Sequence, residues 1–393
     1  MKAALYIHIP FCRSKCSYCD FFSVPCGTAA VPDGYVSALC AEIAVRAVEK
    51  GVSGWSSVYI GGGTPSLLSA RQLLRIMEAV RRLAVDEGLE ATLEANPADI
   101  SEPFLDACAA AGVTRLSCGV QALDGAVLAG VRRRGSLDDV RRALRLISRQ
   151  WRGVFSADMI AALPGQTLQP FLAGLSELLE YGPSHISLYS LSIEEGTPLA
   201  REVAEGRVPY DDDAAAALWI SGRDFLVGRG FVQYEVSNFR LKDGGRECAH
   251  NLAYWRLLDY IGVGAGAVGT TYARQAVRCT NTSDIAGYCR YWNACGLRPP
   301  SAADAAAAPA DCEAISGDVQ QFEFFMMGFR TAEGICAEAF ERRFKRPLPA
   351  AVLSLHSDWE RRGLAISRVC GGRHFYALNS DGLLFLNRFL SQL

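Results

Sequence analysis

AALYIHIPFCRSKCSYCDFF, residues 3–22, joins an apolar run to three closely spaced cysteines. Residues 3–9 read as a buried strand, and Cys12, Cys16 and Cys19 follow on a loop with the spacing C-x3-C-x2-C. The same order recurs down the chain. SSVYIGGG (56–63) runs into GGGTP, ATLEANP (91–97) carries Glu94, RLSCGVQ (115–121) ends on Gln121, and FSADMIAALPG (155–165) carries Asp158. HISLYSLSI (185–193) is a sixth such run. Helical patterns separate them at 35–51, after Ser69, at 101–112 behind the N-cap candidate Ser101, after Ser136 with Asp139 three later, and up to Gly182. Six alternating strand–helix units predict an α/β fold with a parallel sheet, an incomplete (β/α)6 TIM-like barrel. Right-handed crossovers would bring all strand C-termini to one end, where ligands bind.

Beyond Pro198 the rhythm changes. A helix is expected over 211–229, then FVQYEVSNF (231–239) as a strand, ECAHNLAYW, and the glycine-rich IGVGAGAVG (261–269). The Pro/Ala-rich stretch 297–312 reads as a linker or helix-prone connection. Residues 313–393 mix helical patterns with short β-like pieces, as in a small α+β domain. The expected division is a barrel core at 1–230, a barrel extension at 231–296, the linker at 297–312, and a C-terminal domain at 313–393. The literal G-x-G-x-x-G at Gly264–Gly269 is no dinucleotide fingerprint, because it does not open a βαβ unit. A bend where backbone approaches the barrel mouth suits it better.

Composition excludes several classes. The 393 residues are 50% hydrophobic and 21% charged, with a formal net charge of −2, so no basic excess advertises nucleic acid. No apolar run reaches the ~20 residues of a membrane-spanning helix, and no signal peptide is evident. A cytoplasmic protein with reduced thiols is expected. Of the fourteen cysteines, Cys40, Cys108, Cys118, Cys279, Cys289, Cys295, Cys336 and Cys370 are scattered and read as small buried apolar residues.

Three thiols in one loop leave two chemistries open. A structural zinc site needs four closed ligands, yet His8 lies back in the strand and Cys26 is seven residues past Cys19. An iron–sulfur cubane on three thiolates keeps one iron open to a small ligand, which makes three the useful number.

YIHIPFCRSKCSYCDF (6–21) resembles the cluster signature of the radical S-adenosylmethionine (SAM) superfamily, in the branch of the oxygen-independent coproporphyrinogen III oxidases (HemN) and the HemW heme chaperones. The resemblance runs through the barrel into the C-terminal domain. It implies a [4Fe-4S] cluster on Cys12, Cys16 and Cys19, SAM on its open iron, reductive cleavage to methionine and a 5′-deoxyadenosyl radical, and a winged-helix-like C-terminal domain. For SAM it implies Gly62, Gly63 and Thr64 of GGGTP at the methionyl end, Tyr18 near the adenine, and Tyr6 beside the cluster. Glu94, Gln121, Asp158 and Arg133 match further polar positions, and Val268 a pocket-lining one. The arginine stands in a run, 132–134, before Gly135 where the family has His.

Two features separate the branches. The oxidases carry a fourth cysteine where Phe21 stands here, and an N-terminal extension. HNLAYW (250–255) matches the H-N-x-x-Y-W heme motif of the chaperones. The resemblance therefore implies heme on His250, with Cys248 as a further attachment candidate, delivery to apo-hemoproteins such as respiratory enzymes, and a homodimer. His250 as a plain core histidine is the bland alternative. His185, His356 and His374 lack such context and read as structural or surface residues. The rivals are a coproporphyrinogen III dehydrogenase, a radical SAM enzyme on another substrate, and a zinc module.

Overall fold

A computed structural model describes residues 1–272, 276–296 and 301–393. The six expected strands form as β1 (Lys2–Ile9), β2 (Gly54–Gly62), β3 (Ala84–Ala95), β4 (Arg115–Gln121), β5 (Val154–Ala161) and β6 (His185–Ser190). They pair in parallel and in sequence order, as strands joined by helical crossovers must. The crossovers are α1 (Asp33–Glu49), α2 (Ala70–Arg81), α3 (Glu102–Ala111), α4 (Leu137–Gln150) and α5 (Leu168–Glu180), of which α2, α3 and α4 start on side-chain caps. Ser69 with Gln72 and Ser136 with Asp139 form reciprocal capping boxes. Ser101 caps α3, which ends on Gly112 in the left-handed region at φ 75°.

The strands follow a two-residue rule, with Ala4 and Ile160 as apolar exceptions on the inward parity. One parity is apolar and buried under the helices: Leu5, Ile7, Ile9, Val58, Ile60, Leu93, Leu116, Val120, Ala157, Ile186 and Leu188. The other parity is polar and faces the concave interior: Tyr6 and His8, Ser57 and Tyr59, Glu90 and Glu94, Arg115 and Ser117, Ser156 and Asp158, His185 and Ser187. The register sets these residues side by side, with Tyr6 opposite Tyr59, Ser57 opposite Glu90 and Ser156 opposite His185.

The sheet does not close. Tyr260–Val263 adds in parallel beside β1, followed by the antiparallel strands Val268–Thr271, Val277–Asn281 and Ala310–Ala314. At the far side Asn238–Leu241 pairs with β6 and then with Phe231–Gln233. The sheet so formed has twelve strands.

Four expectations change here. FVQYEVSNF is a hairpin rather than one strand: the chain turns back after Tyr234, whose N–H donates to Asn238 O (3.1 Å). The supposed linker is built into the fold: Ala302–Ala306 is a short helix and Ala310–Ala314 is the sheet's edge, while 297–300 lie outside the described residues. Cys279 is not a lone apolar residue, since it pairs in register with Cys312 and forms a disulfide with it. Cys370 is exposed, not buried, at the tip of a hairpin.

The C-terminal part has its own core around Phe325, Phe329, Phe340, Trp359 and Phe389. Three helices, Gly317–Gly328, Ala337–Phe344 and Ala350–Arg361, precede the hairpin Ala365–Cys370/Arg373–Leu378. This is the helical-then-hairpin order of a winged-helix-like unit. It docks through Ala332 N to Tyr234 O (2.9 Å) and through the Arg256–Glu333 ion pair (2.8 Å). Among the described residues no helix is long and apolar enough to cross a membrane.

Candidate functional site

The cysteine loop leaves β1 at its C-terminal end and is tied down on all sides. Cys26 N donates to Cys12 O (2.7 Å), Ser17 N to Val131 O (3.1 Å), and Leu199 N to Ser17 O (2.9 Å). The His8 ring accepts from Tyr6 OH at Nδ1 (2.9 Å) and donates from Nε2 to Phe22 O (2.9 Å), which clamps the loop's far end. Cys12 and Cys16 are buried and Cys19 is half-buried. Phe21, where a fourth thiol would stand, is 71% exposed.

The thiol environment suits a cluster. Thr64 Oγ1 donates to Cys12 Sγ (3.2 Å), and the Arg133 guanidinium lies 3.7 Å from Cys16 Sγ. Both sulfurs thus have a hydrogen-bond donor beside them. Gly63 closes the other side: a Cβ there would stand 2.8 Å from Phe11 O and 3.0 Å from Cys12 Sγ. Space over Cys12 is therefore kept by the absence of a side chain. Among the described residues no three metal-ligating side chains are grouped as they would be around one ion.

Above the loop lie the polar strand ends. Gly62, at φ 111°, turns its N–H to Glu94 Oε2 (3.1 Å), and Tyr59 OH donates to Glu94 Oε1 (2.8 Å). Burial, opposed by those hydrogen bonds and reinforced by Asp158, raises the Glu94 carboxyl to about 7. Asp158 is also raised, chiefly by burial, while Ser117 Oγ donates to its two oxygens (3.0 and 3.1 Å). Gln121 sits at φ 68° where β4 ends, and Arg133 Nη2 donates to Gly119 O (2.7 Å) beside it. Burial raises the Tyr6 and Tyr18 phenols. All twelve residues expected at the cluster and SAM positions thus gather at one mouth. Val268 stands half-buried at the start of Val268–Thr271. The Gly264–Gly266 turn packs against Phe22, as the reading of a bend requires.

Glu94 gives a pH test. Its folded pKa lies above the ordinary carboxyl value, so its ionisation costs stability as pH rises from about 4.5 to about 7. Glu94→Gln should stabilise the ligand-free protein by on the order of 2–3 kcal/mol at pH 8 and by almost nothing at pH 4. Urea unfolding at the two pH values checks this; an equal effect at both contradicts it.

His250 lies one layer below the barrel mouth, its ring 6.4 Å from that of Tyr6. Ala249–Trp255 is a short helix that covers the concave face at the β-strands' N-terminal half. His250 is 1% exposed. Its Nδ1 bonds Ser57 Oγ (2.9 Å) and its Nε2 bonds Tyr254 OH (2.8 Å), so neither ring nitrogen is free. Tyr59 stacks on it at 5.1 Å, and burial lowers its pKa to about 3. Cys248 is buried against Glu90 (3.4 Å), its thiol raised to about 12 by burial. In this conformation the surroundings are those of a core histidine, contrary to an open heme ligand. His185 is likewise buried, bridging Ser156 and Tyr234, His356 is buried, and His374 pairs at the surface with Glu338.

The sequence reading passed over the rest of the interior wall: Ser57, Tyr59, Glu90, Arg115, Ser117, Tyr189 and Tyr234. The signal was present as polar residues at every second position of each strand. Tyr189 is 41% exposed, yet burial among the barrel walls raises its phenol, as at the rim of a deep cleft.

The chain matches the radical SAM superfamily over residues 6–178. It is 41% identical over 272 residues to the mouse "Radical S-adenosyl methionine domain-containing protein 1, mitochondrial", covering 68% of this chain and 60% of that relative's length. It is 34% identical to the heme chaperone HemW of Lactococcus lactis (86% of this chain, 84% of the relative) and 31% identical to that of Escherichia coli (98% and 97%). Coproporphyrinogen III oxidase (HemN) of Escherichia coli superposes with a TM-score of 0.79 at 21% identity, covering 99% of this chain and 89% of that one, a likeness of fold. With bacterial HemW proteins matched over almost their whole length, the chain belongs to the HemW family of the radical SAM superfamily.

Proposed function

We propose that this protein is a cytoplasmic heme chaperone that holds a [4Fe-4S] cluster and SAM at the barrel mouth, binds heme, and passes it to apo-hemoproteins, as a homodimer in at least one state. The family implies the cluster and SAM. The observation that carries the placement is the three-thiol loop beside a polar mouth, with Gly63 leaving room over Cys12. Cys12, Cys16 and Cys19 would hold the cluster, which supplies one-electron chemistry when bound. Gly62, Gly63 and Thr64 would receive the methionyl end of SAM, with Tyr6, Tyr18, Glu94, Gln121, Arg133 and Asp158 around the rest. A cationic ligand would draw Glu94 to its ionised form, so binding is tighter above pH 7 than below it.

The heme part rests on HNLAYW and on the names of the bacterial relatives. Its iron ligand is His250, kept neutral by burial and so able to coordinate once its hydroxyl partners are displaced. An anaerobic hemin titration of cluster-reconstituted protein, followed at the Soret band, tests this. Wild type should bind stoichiometrically and His250→Ala at least about tenfold more weakly. Equal binding by both removes His250 as the ligand. Turnover of coproporphyrinogen III with SAM and a reductant would make the protein an oxidase instead.

A further inference from the structure

The segment carrying HNLAYW is fastened from below by an ion pair. Arg115, the first residue of β4, is 2% exposed. Its Nη2 donates to Arg246 O (3.0 Å) and Glu247 O (2.9 Å), and its Nε to Glu90 Oε2 (3.1 Å). The other Glu90 oxygen accepts from His250 N (3.1 Å) and from Cys248 Sγ (3.4 Å). Tyr234 OH, itself held by His185, accepts from Cys248 N (3.0 Å). One charge pair and one phenol thus hold two backbone carbonyls, two backbone N–H groups and a thiol of residues 246–250. Removing either charge would strand the other in the interior, which makes such a pair a strong fastening.

The outer side of the same segment faces the C-terminal unit. The C-terminal unit touches it through the Arg256–Glu333 pair, about half exposed, and through Arg343 Nη1 to Leu257 O (3.2 Å). Arg330 lies over the Trp255 ring (6.0 Å) and Arg343 over the Tyr272 ring (4.5 Å). The segment is therefore bonded from inside by a buried charge pair and covered outside by an exposed ion pair and stacked cations.

We propose that Glu90 and Arg115 are positioning residues that hold residues 246–255 closed over the barrel and thereby set how readily a metal porphyrin reaches His250. This rests on the reading of His250 as a heme ligand. A purely structural pair would stabilise the fold without controlling the segment, so the test must read the segment itself. Cys248 provides that readout, because it is buried only while the fastening holds.

The experiment compares wild type with Glu90→Gln and Tyr234→Phe, full length and cluster-reconstituted. It measures alkylation of Cys248 by peptide mass spectrometry and hemin association by stopped flow. Loss of one charged hydrogen bond to the segment should speed both by about tenfold or more. The Soret position of bound hemin should stay as in wild type, because the ligand is unchanged. Tyr234→Phe keeps the test alive if the charge change prevents folding. Unchanged Cys248 reactivity and unchanged hemin rates overturn the proposal. Faster Cys248 alkylation with no hemin bound by any variant supports the fastening and overturns the heme reading.

Discussion

Cys16→Ala is expected to abolish cluster assembly, with iron and sulfide falling to background after anaerobic reconstitution. Cys16 is buried, faces the Arg133 guanidinium, and belongs to a loop whose backbone is anchored at Ser17 from two sides. Phe21, where a fourth thiol would stand, is exposed and offers no sulfur in its place. A cubane on two thiolates would lose a bond worth far more than the loop's own stability. The apo fold should survive, because the anchors are backbone hydrogen bonds and the hydrophobic core lies under the helices. Circular dichroism near wild type together with lost iron is the expected pair of results. Retained iron would mean that the cluster is held elsewhere.

Gly62→Ala should be severely damaging to the SAM site. The residue sits at φ 111°, where an L side chain is strained, and its Cβ would lie 2.5 Å from the His8 ring. Backbone strain costs about 1–3 kcal/mol. Displacing His8 costs more, because that ring joins Tyr6 to Phe22 O and closes the cysteine loop. Glu94 would lose its bond from Gly62 N as well. SAM affinity, measured by equilibrium dialysis on reconstituted protein, should fall by about a hundredfold or more, an effect of about 3 kcal/mol. Wild-type affinity would show that GGGTP is only a tight turn.

Local chemistry explains which features could be read from sequence. Ser69, Ser101 and Ser136 announce helices because a hydroxyl has one obvious N–H to satisfy. Cys12, Cys16 and Cys19 announce a site because thiols at that spacing have few other uses. The burial of His250 was illegible: Ser57 is 193 residues away along the chain, and nothing near the motif reveals that this hydroxyl faces it. The edge strand Ala310–Ala314 was hidden for a related reason. Its alanines favour helix, and only pairing with Val277–Asn281, joined by the Cys279–Cys312 disulfide, makes it a strand. Glu90 and Arg115 were passed over because each alone resembles an ordinary surface charge at a strand end.

The two-residue alternation of β1 to β6 also means that adjacent positions answer to different demands. At Ile7, Leu93 or Leu116 a poor residue is paid for in folding, and every ligand suffers alike. At Tyr6, Glu94 or Ser117, one step along the same strand, the fold can absorb a change that the bound molecule cannot. Such a scaffold can drift toward a new cargo one wall residue at a time, because its helix-facing half never has to take part.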